Sequence, residues 1–160
     1  MPSLFHTLVD SPLGPLLLLS DGRALTGLYM NERIVPPDSV ENAEATPFAA
    51  VRLQLAEYFA GERRSFDLPL SPRGTTFQRV VWAFLRDISY GETISYGELA
   101  RRINSPKACR AVGLANGQNP LSIVVPCHRV VGANGKLTGY SGGLSNKAFL
   151  LGLERGALPL

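Results

Sequence analysis

Residues 93–113 read TISYGELARRINSPKACRAVG, and this stretch decides the architecture of the second half of the chain. Ser95 leads into Tyr96, Leu99, Ala100 and Ile103, which read as a helix. Asn104 interrupts the run. Ser105-Pro106 then opens a second helix through Arg110, Val112, Gly113 and Asn116. Two short helices on a tight connection match a helix-turn-helix, which reads DNA in many proteins and serves as plain core packing in others.

The flanking sequence extends this pattern in both directions. Upstream, Thr76 is placed to cap a helix carrying Val80, Val81, Phe84, Leu85 and Ile88, closed by Gly91. Downstream of Asn119-Pro120, the apolar run Leu121 to Val125 predicts a buried strand leading into Pro126-Cys127-His128-Arg129. A loop at Gly139-Tyr140-Ser141-Gly142-Gly143 follows, and Ser145 is placed to cap a last helix ending at Gly156. The first 70 residues differ in character. Leu4 to Val9, Leu16 to Ser20 and Leu25 to Met30 predict three strands of an antiparallel meander, with a loop from Arg33 to Thr46. Thr46-Pro47 offers a cap and a first-turn proline to a helix with Val51, Leu55, Tyr58 and Phe59. Leu68 to Thr75, with Pro69, Pro72 and Gly74, predicts the linker. The expectation is an α+β protein of two domains, 1–71 and 72–160, the second mostly helical.

Charge follows the same division. Residues 1–71 hold five Lys/Arg against nine Asp/Glu, a balance of −4, and residues 72–160 hold eleven against four, a balance of +7. The overall +3 conceals this split. A basic half suits a polyanionic partner, although a lopsided soluble surface gives the same arithmetic. Two cysteines, Cys109 and Cys127, and two histidines, His6 and His128, exclude a disulfide scaffold and leave almost nothing for a zinc site. Cys109, beside Arg110 on the second helix, is expected to pack inward as a small hydrophobe. The longest apolar run, Val80 to Leu85, is too short to span a bilayer, and no cationic leader precedes the first apolar residues. A cytoplasmic setting with reduced thiols is expected.

Cys127 follows a proline and precedes His128 and Arg129. A thiol attacks only as thiolate, so it needs a base or a cation close by. The dipeptide alone fits both a nucleophile acting through water and an inert buried thiol beside a core histidine. The longer string is more specific. Ile123-Val124-Val125-Pro126-Cys127-His128-Arg129-Val130 resembles the active-site signature of the O6-alkylguanine-DNA alkyltransferases, also called methylated-DNA–protein-cysteine methyltransferases. Thr93 to Ala100 is similar to that family's first helix of the helix-turn-helix, and Pro106 to Gly113 to its recognition helix. Asn119-Pro120 resembles its hinge, Tyr140-Ser141-Gly142-Gly143 its pocket loop, and Leu150 to Glu154 its closing helix. The likeness covers about residues 74–156. Residues 1–70 share only length and strand order with the family's ribonuclease-H-like N-terminal domain.

The resemblance implies direct-reversal DNA repair: O6-alkylguanine is flipped out of the duplex and its alkyl group moves irreversibly to Cys127. Flipping costs about a few kcal/mol, so the vacated space needs an occupant. Arg110 resembles the arginine that fills it, on a helix whose small neighbours Ala108, Ala111, Gly113 and Ala115 allow close approach to the minor groove. By the same resemblance, His128 is the base acting through water, Glu154 orients it, and Tyr96 donates to the leaving guanine. Asn119, Val130, Tyr140 and Ser141 then bind the substrate, with the carbonyls of Cys127 and Val130 accepting from the exocyclic amine. No cofactor and no metal is implied. The N-terminal half has no cysteine, so the zinc held by some relatives is not expected. The expected partner is double-stranded DNA carrying the lesion, bound by a monomer, with cooperativity and O4-alkylthymine left open. Two rivals remain: a fold-sharing binder that flips without repairing, which lacks the acceptor cysteine, and a cysteine hydrolase that turns over repeatedly.

Overall fold

The computed structural model describes residues 4–31, 34–140 and 142–156. The chain divides into two compact units, residues 1–73 and 74–160, two residues beyond the expected boundary.

The first unit is built on a four-stranded sheet of order β3-β2-β1-β4. β1 (Phe5–Val9) pairs antiparallel with β2 (Leu16–Ser20), which pairs antiparallel with β3 (Leu25–Tyr29). Every residue of β2 is buried, so this central strand reads as one continuous apolar run without alternation. The predicted loop from Arg33 to Thr46 contains a short strand, β4 (Val40–Glu41), parallel to β1. Two residues are too few to give a periodic signal, which is why the sequence reads as loop. α1 (Phe48–Phe59) buries Phe48, Val51, Leu55 and Tyr58 at helical spacing. Pro47 stands at its N-cap rather than inside the first turn, and no side chain caps it, so Thr46 does not perform the expected role. The expected linker is not free either. Leu25 N donates to Pro69 O at 2.8 Å and Ser71 N to Leu25 O at 2.9 Å, so part of it lies along β3.

The second unit is helical, as expected. α2 (Thr76–Leu85) starts one residue earlier than predicted: Thr75 is the cap, accepting from Gln78 N at 3.1 Å while Gln78 Oε1 accepts from Thr75 N at 2.8 Å. This reciprocal box is worth about 1 kcal/mol or more. α3 (Tyr96–Arg102) follows β5 (Ile94–Ser95), with Ser95 accepting from Glu98 N at 3.0 Å as the cap. Asn104 takes a positive φ of 61° in the connection. α4 (Cys109–Gly117) begins three residues after Pro106, because Ser105 to Ala108 closes a separate turn. α4 buries Val112, Ala115 and Asn116 and turns Arg110, Ala111 and Leu114 outward. Cys109 falls on the outward side and is exposed, contrary to the expectation that it packs inward. Trp82 Nε1 donates to Ala115 O at 2.8 Å, tying α2 to α4.

Leu121 to Val125 is buried but is not a strand. Ile123 has φ +73°, and Val125 N returns to Leu121 O at 2.9 Å, so the run coils into consecutive turns. A short 3-10 helix, Cys127–Arg129, follows and leads into β6 (Val130–Val131), which is parallel to β5. α5 (Leu144–Glu154) closes the unit with Gly143 (φ +91°) at its cap, which places Ser145 inside the helix rather than before it.

Candidate active site around Cys127

Asn119 shapes the approach to Cys127. Its Nδ2 donates to Val125 O at 2.9 Å and its Oδ1 accepts from Leu121 N at 3.0 Å, so one amide closes both ends of the buried turn. Pro126 then caps the 3-10 helix, whose single three-residue turn carries Cys127, His128 and Arg129 one after another. All three are buried.

Glu154, from the last turn of α5, collects the second and third of these. His128 Nε2 donates to Glu154 Oε2 at 2.7 Å. Arg129 Nε donates to Oε1 at 2.8 Å and Nη2 to Oε2 at 3.0 Å, a bidentate pairing, while Nη1 reaches Ile88 O at 2.6 Å. Gly91 N adds a longer bond to Oε1 at 3.3 Å. A carboxylate held by guanidinium only accepts, so the imidazole proton sits on Nε2 and the lone pair on Nδ1. Nδ1 is buried and has no hydrogen-bond partner among the described residues. Burial holds the imidazole below its ordinary titration range, with Glu154 pulling the other way, so His128 is a neutral base at physiological pH.

The thiol of Cys127 is 2% exposed, and burial pushes it above the ordinary cysteine range. Asn119, the charge of Lys147 and Tyr140 oppose that shift. Lys147 itself is wholly buried on α5 and is answered by carbonyls rather than by a carboxylate: Nζ donates to Val130 O at 2.6 Å and to Thr138 O at 2.9 Å. Its ammonium lies 5.9 Å from the centre of the Tyr140 ring. Burial moves Lys147 down and Tyr140 well up, so the tyrosine stays a neutral phenol. Its hydroxyl lacks a partner of good geometry among the described residues, although Ser122 and Cys127 lie near enough to influence its titration.

Tyr96, at the start of α3, donates from Oη to Thr138 O at 3.2 Å, the carbonyl that Lys147 also uses. A side chain on Gly113 would stand 3.6 Å from the Tyr96 ring, so the ring lies against the small-residue turn of α4. A cleft lined by Gly113, Leu114, Gly117, Gln118, Gly139 and Tyr140 opens beside it. Arg110 stands exposed on the outer face of α4. Glu98 does not pair with it, because Arg102 and Arg101 take both carboxylate oxygens and hold that carboxyl below its usual range. Val130 is buried in β6 with its carbonyl already on Lys147. Ser141 lies outside the described residues. Thus Cys127, His128, Glu154, Asn119, Val130 and Tyr140 gather around one buried turn, Tyr96 reaches it through Thr138, and Arg110 stands apart on the surface.

Comparison with known proteins matches both halves of the chain to one family. A family model described as 6-O-methylguanine DNA methyltransferase, DNA binding domain, matches residues 76–156, and the ribonuclease-like domain of the same proteins matches residues 4–72. The chain belongs to the 6-O-methylguanine DNA methyltransferase family. A methylated-DNA–protein-cysteine methyltransferase of Methanosarcina acetivorans is 54% identical over 157 residues, covering 94% of this chain and 98% of that protein. Its counterpart in Mycobacterium tuberculosis is 50% identical over 157 residues, covering 98% and 95%. The structure of the Mycobacterium tuberculosis OGT in complex with DNA matches with a TM-score of 0.91 and 51% identity, over 97% of this chain and 95% of that one. The α+β class with a ribonuclease-like first half is therefore the fold of this family.

Two buried side chains of this family member escape a reading of the sequence. Lys147 looks like a surface lysine, yet it lies three, four and seven residues before Leu150, Leu151 and Glu154 and so shares their inward face. Asn116 likewise follows Val112 by four on the buried face of α4, and its Nδ2 reaches Cys127 O at 3.4 Å. Among the described residues no helix is long and apolar enough to cross a membrane, and no three His, Cys, Asp or Glu side chains gather where they would hold a metal ion.

Proposed function

We propose that this chain repairs O6-alkylguanine in double-stranded DNA by moving the alkyl group to Cys127, once per protein molecule. The observation that carries the reading is the buried succession Cys127–His128–Glu154, with the proton of His128 fixed on Nε2 and Nδ1 left as a base. In the step we infer, the thiol proton passes through a water to His128 Nδ1. The sulfur then displaces guanine from the alkyl carbon: the S–C bond forms, the C–O6 bond breaks, and the electron pair leaves on the base. Tyr96 Oη turns from Thr138 O to donate to that departing ring. The thioether product has no leaving group that water displaces, which accounts for a single turnover. Thiol and alkyl carbon supply every reacting atom, so no cofactor enters.

The rest of the site serves delivery. The lesion is unreachable inside the stack, so the nucleotide is extruded and Arg110 takes its place, with α4 in the minor groove. Freedom from Glu98 and the small outward residue Ala111 support that role. Tyr140 walls the base pocket, Asn119 holds the Cys127 turn, Val130 offers its carbonyl, and Ser141 supplies an amide to O6. All these groups come from one chain, which suits a monomer. A thiol used once has to be kept reduced, which suits the cytoplasm.

The test is the intact mass of the protein after incubation with excess O6-methylguanine duplex. One added methyl, located at Cys127, is expected, and the reaction stops at one equivalent. Repeated turnover indicates a hydrolase instead, and tight binding without mass change indicates a non-repairing binder.

A further inference from the structure

Gln78 and Gln118 join α2 to α4 through their side-chain amides, and the main chain decides which way each amide faces. Thr75 N only donates, so the atom 2.8 Å from it is Gln78 Oε1. Gln78 therefore turns its NH2 group to Gln118, at 2.7 Å, and the atom it meets there is Gln118 Oε1. The NH2 group of Gln118 is left over. It belongs to an exposed residue and has no hydrogen-bond partner among the described residues.

Its surroundings indicate what such a donor meets. Arg110, Leu114 and Gln118 follow one another at four-residue spacing, all exposed, and so form one stripe along the outer face of α4. Gln118 lies about 12 Å along the helix axis from Arg110, at the usual rise per residue. It also lines the cleft that Gly113, Leu114, Gly117, Gly139 and Tyr140 share. Three of these are glycines, Leu114 is apolar and 64% exposed, and the Tyr140 hydroxyl is buried. The cleft thus lets a sugar–phosphate strand come close, and Gln118 is the lining residue with an exposed polar side chain. The C-terminal end of α4 presents carbonyls, which repel an anion. A phosphodiester held there needs a side-chain donor, and the amide of Gln118 offers two N–H groups.

We infer that Gln118 binds a phosphodiester oxygen of the lesion-bearing strand as the damaged nucleotide enters the cleft, and that Gln78 is the positioning residue that aims it. This rests on the reading that α4 meets DNA with Arg110 in the vacated stack. Arg110 and Gln118 then hold the strand at two ends of one helical stripe, with the extruded nucleotide between them. A phosphate contact carries no sequence information, so its effect is to fix register.

Gln118→Glu tests this with little change of shape. A carboxylate oxygen still accepts from Gln78 Nε2, so the tie to α2 survives and only the outward N–H becomes an anion. Single-turnover methyl transfer from a subsaturating O6-methylguanine duplex is expected to slow about tenfold, while transfer from free O6-benzylguanine stays within about twofold. Uncharged methylphosphonates, placed one at a time along the lesion strand, are expected to recover most of that loss at one position. A normal rate on the duplex makes Gln118 a tie between helices and overturns the assignment. Equal slowing of duplex and free base, or a loss that no methylphosphonate relieves, overturns it as well. Gln118→Ala replaces the glutamate variant if that one does not melt as a folded protein. It should slow duplex transfer about threefold, and the methylphosphonate that slows the unaltered protein should slow it no further. If the unaltered protein methylates Cys127 from no duplex, the repair reading itself has failed, which is distinct from a failure of Gln118 alone.

Discussion

His128 Nε2 and Glu154 Oε2 lie 2.7 Å apart with both side chains fully out of solvent. The pair couples the 3-10 helix after Pro126 to the last turn of α5, and it decides which imidazole nitrogen is free to take a proton. Arg129 makes the arrangement possible, since a lone buried carboxylate would be very costly and the bidentate guanidinium answers its charge.

Glu154→Gln is therefore expected to damage both stability and chemistry. It leaves the Arg129 charge buried without its counter-ion, a loss of about 3–5 kcal/mol by urea denaturation. It also unlocks the imidazole tautomer, and methyl transfer should slow by about 10²- to 10⁴-fold in single-turnover kinetics. A variant that is less stable yet transfers methyl at the normal rate would remove Glu154 from the relay.

Cys127→Ala should keep the fold and the affinity for lesion DNA while abolishing transfer. Gel-shift binding and intact mass read the two effects separately. Methyl transfer surviving in this variant would move the acceptor to the exposed Cys109.

Arg110→Ala should slow repair of duplex O6-methylguanine by about tenfold or more, since an arginine no longer offsets the cost of extrusion. Reaction with the free base O6-benzylguanine, which needs no extrusion, should be unaffected. Equal slowing of both substrates contradicts a flipping role.

Acidity should act through His128. The folded state holds the imidazole below its ordinary value of 6.5, so the unfolded chain takes up the proton first as pH falls. The sign follows: stability is full above about pH 6.5 and declines below it. The folded thiol of Cys127 is raised above 9.0, so the opposite edge is alkaline, where the unfolded chain loses its proton first and stability declines above about pH 9. Urea midpoints across this range check both edges; for the acid edge, His128→Gln should flatten the decline.

Lys147→Met removes two charge-assisted bonds to Val130 O and Thr138 O and is expected to cost about 2–4 kcal/mol. It also withdraws the cation that favours the thiolate, so the pH profile of Cys127 alkylation should move to higher pH. A destabilised variant with an unmoved profile makes the lysine a tie between segments and nothing more.

The sequence carried the chemistry further than the geometry. Cys127, His128, Arg110 and Glu154 stood in ordered motifs, and the helix-turn-helix followed from Ser95 and the spacing of Leu99 and Val112. The turns of Leu121 to Val125 were not legible, because β-branched apolar residues report burial without distinguishing a strand from a coil of turns. Cys109 was misread because Ser105-Pro106 opens a turn rather than the helix, which rotates the first residues of α4 outward. Lys147 had a spacing signal, but a lysine's long chain ends in solvent so often that only the inward Glu154, one heptad away, points to the exception. Asn116 gave no chemical signal until its bond to Cys127 O was visible.

The cap of α2 sets a practical limit on how this protein is dissected. Gln78 spends both ends of its amide: Oε1 accepts from Thr75 N, and Nε2 donates at 2.7 Å to Gln118, the residue that ends α4. Just before it, a side chain at Gly74 would fall 2.5 Å from the Trp82 ring, the same ring whose Nε1 holds Ala115. A fragment cut at residue 76 forfeits Thr75, releases Gln78 and loosens the far end of α4 forty residues away. A fragment meant to grip DNA must begin no later than Gly74, and a fusion partner must join upstream of it through a spacer that leaves this glycine bare.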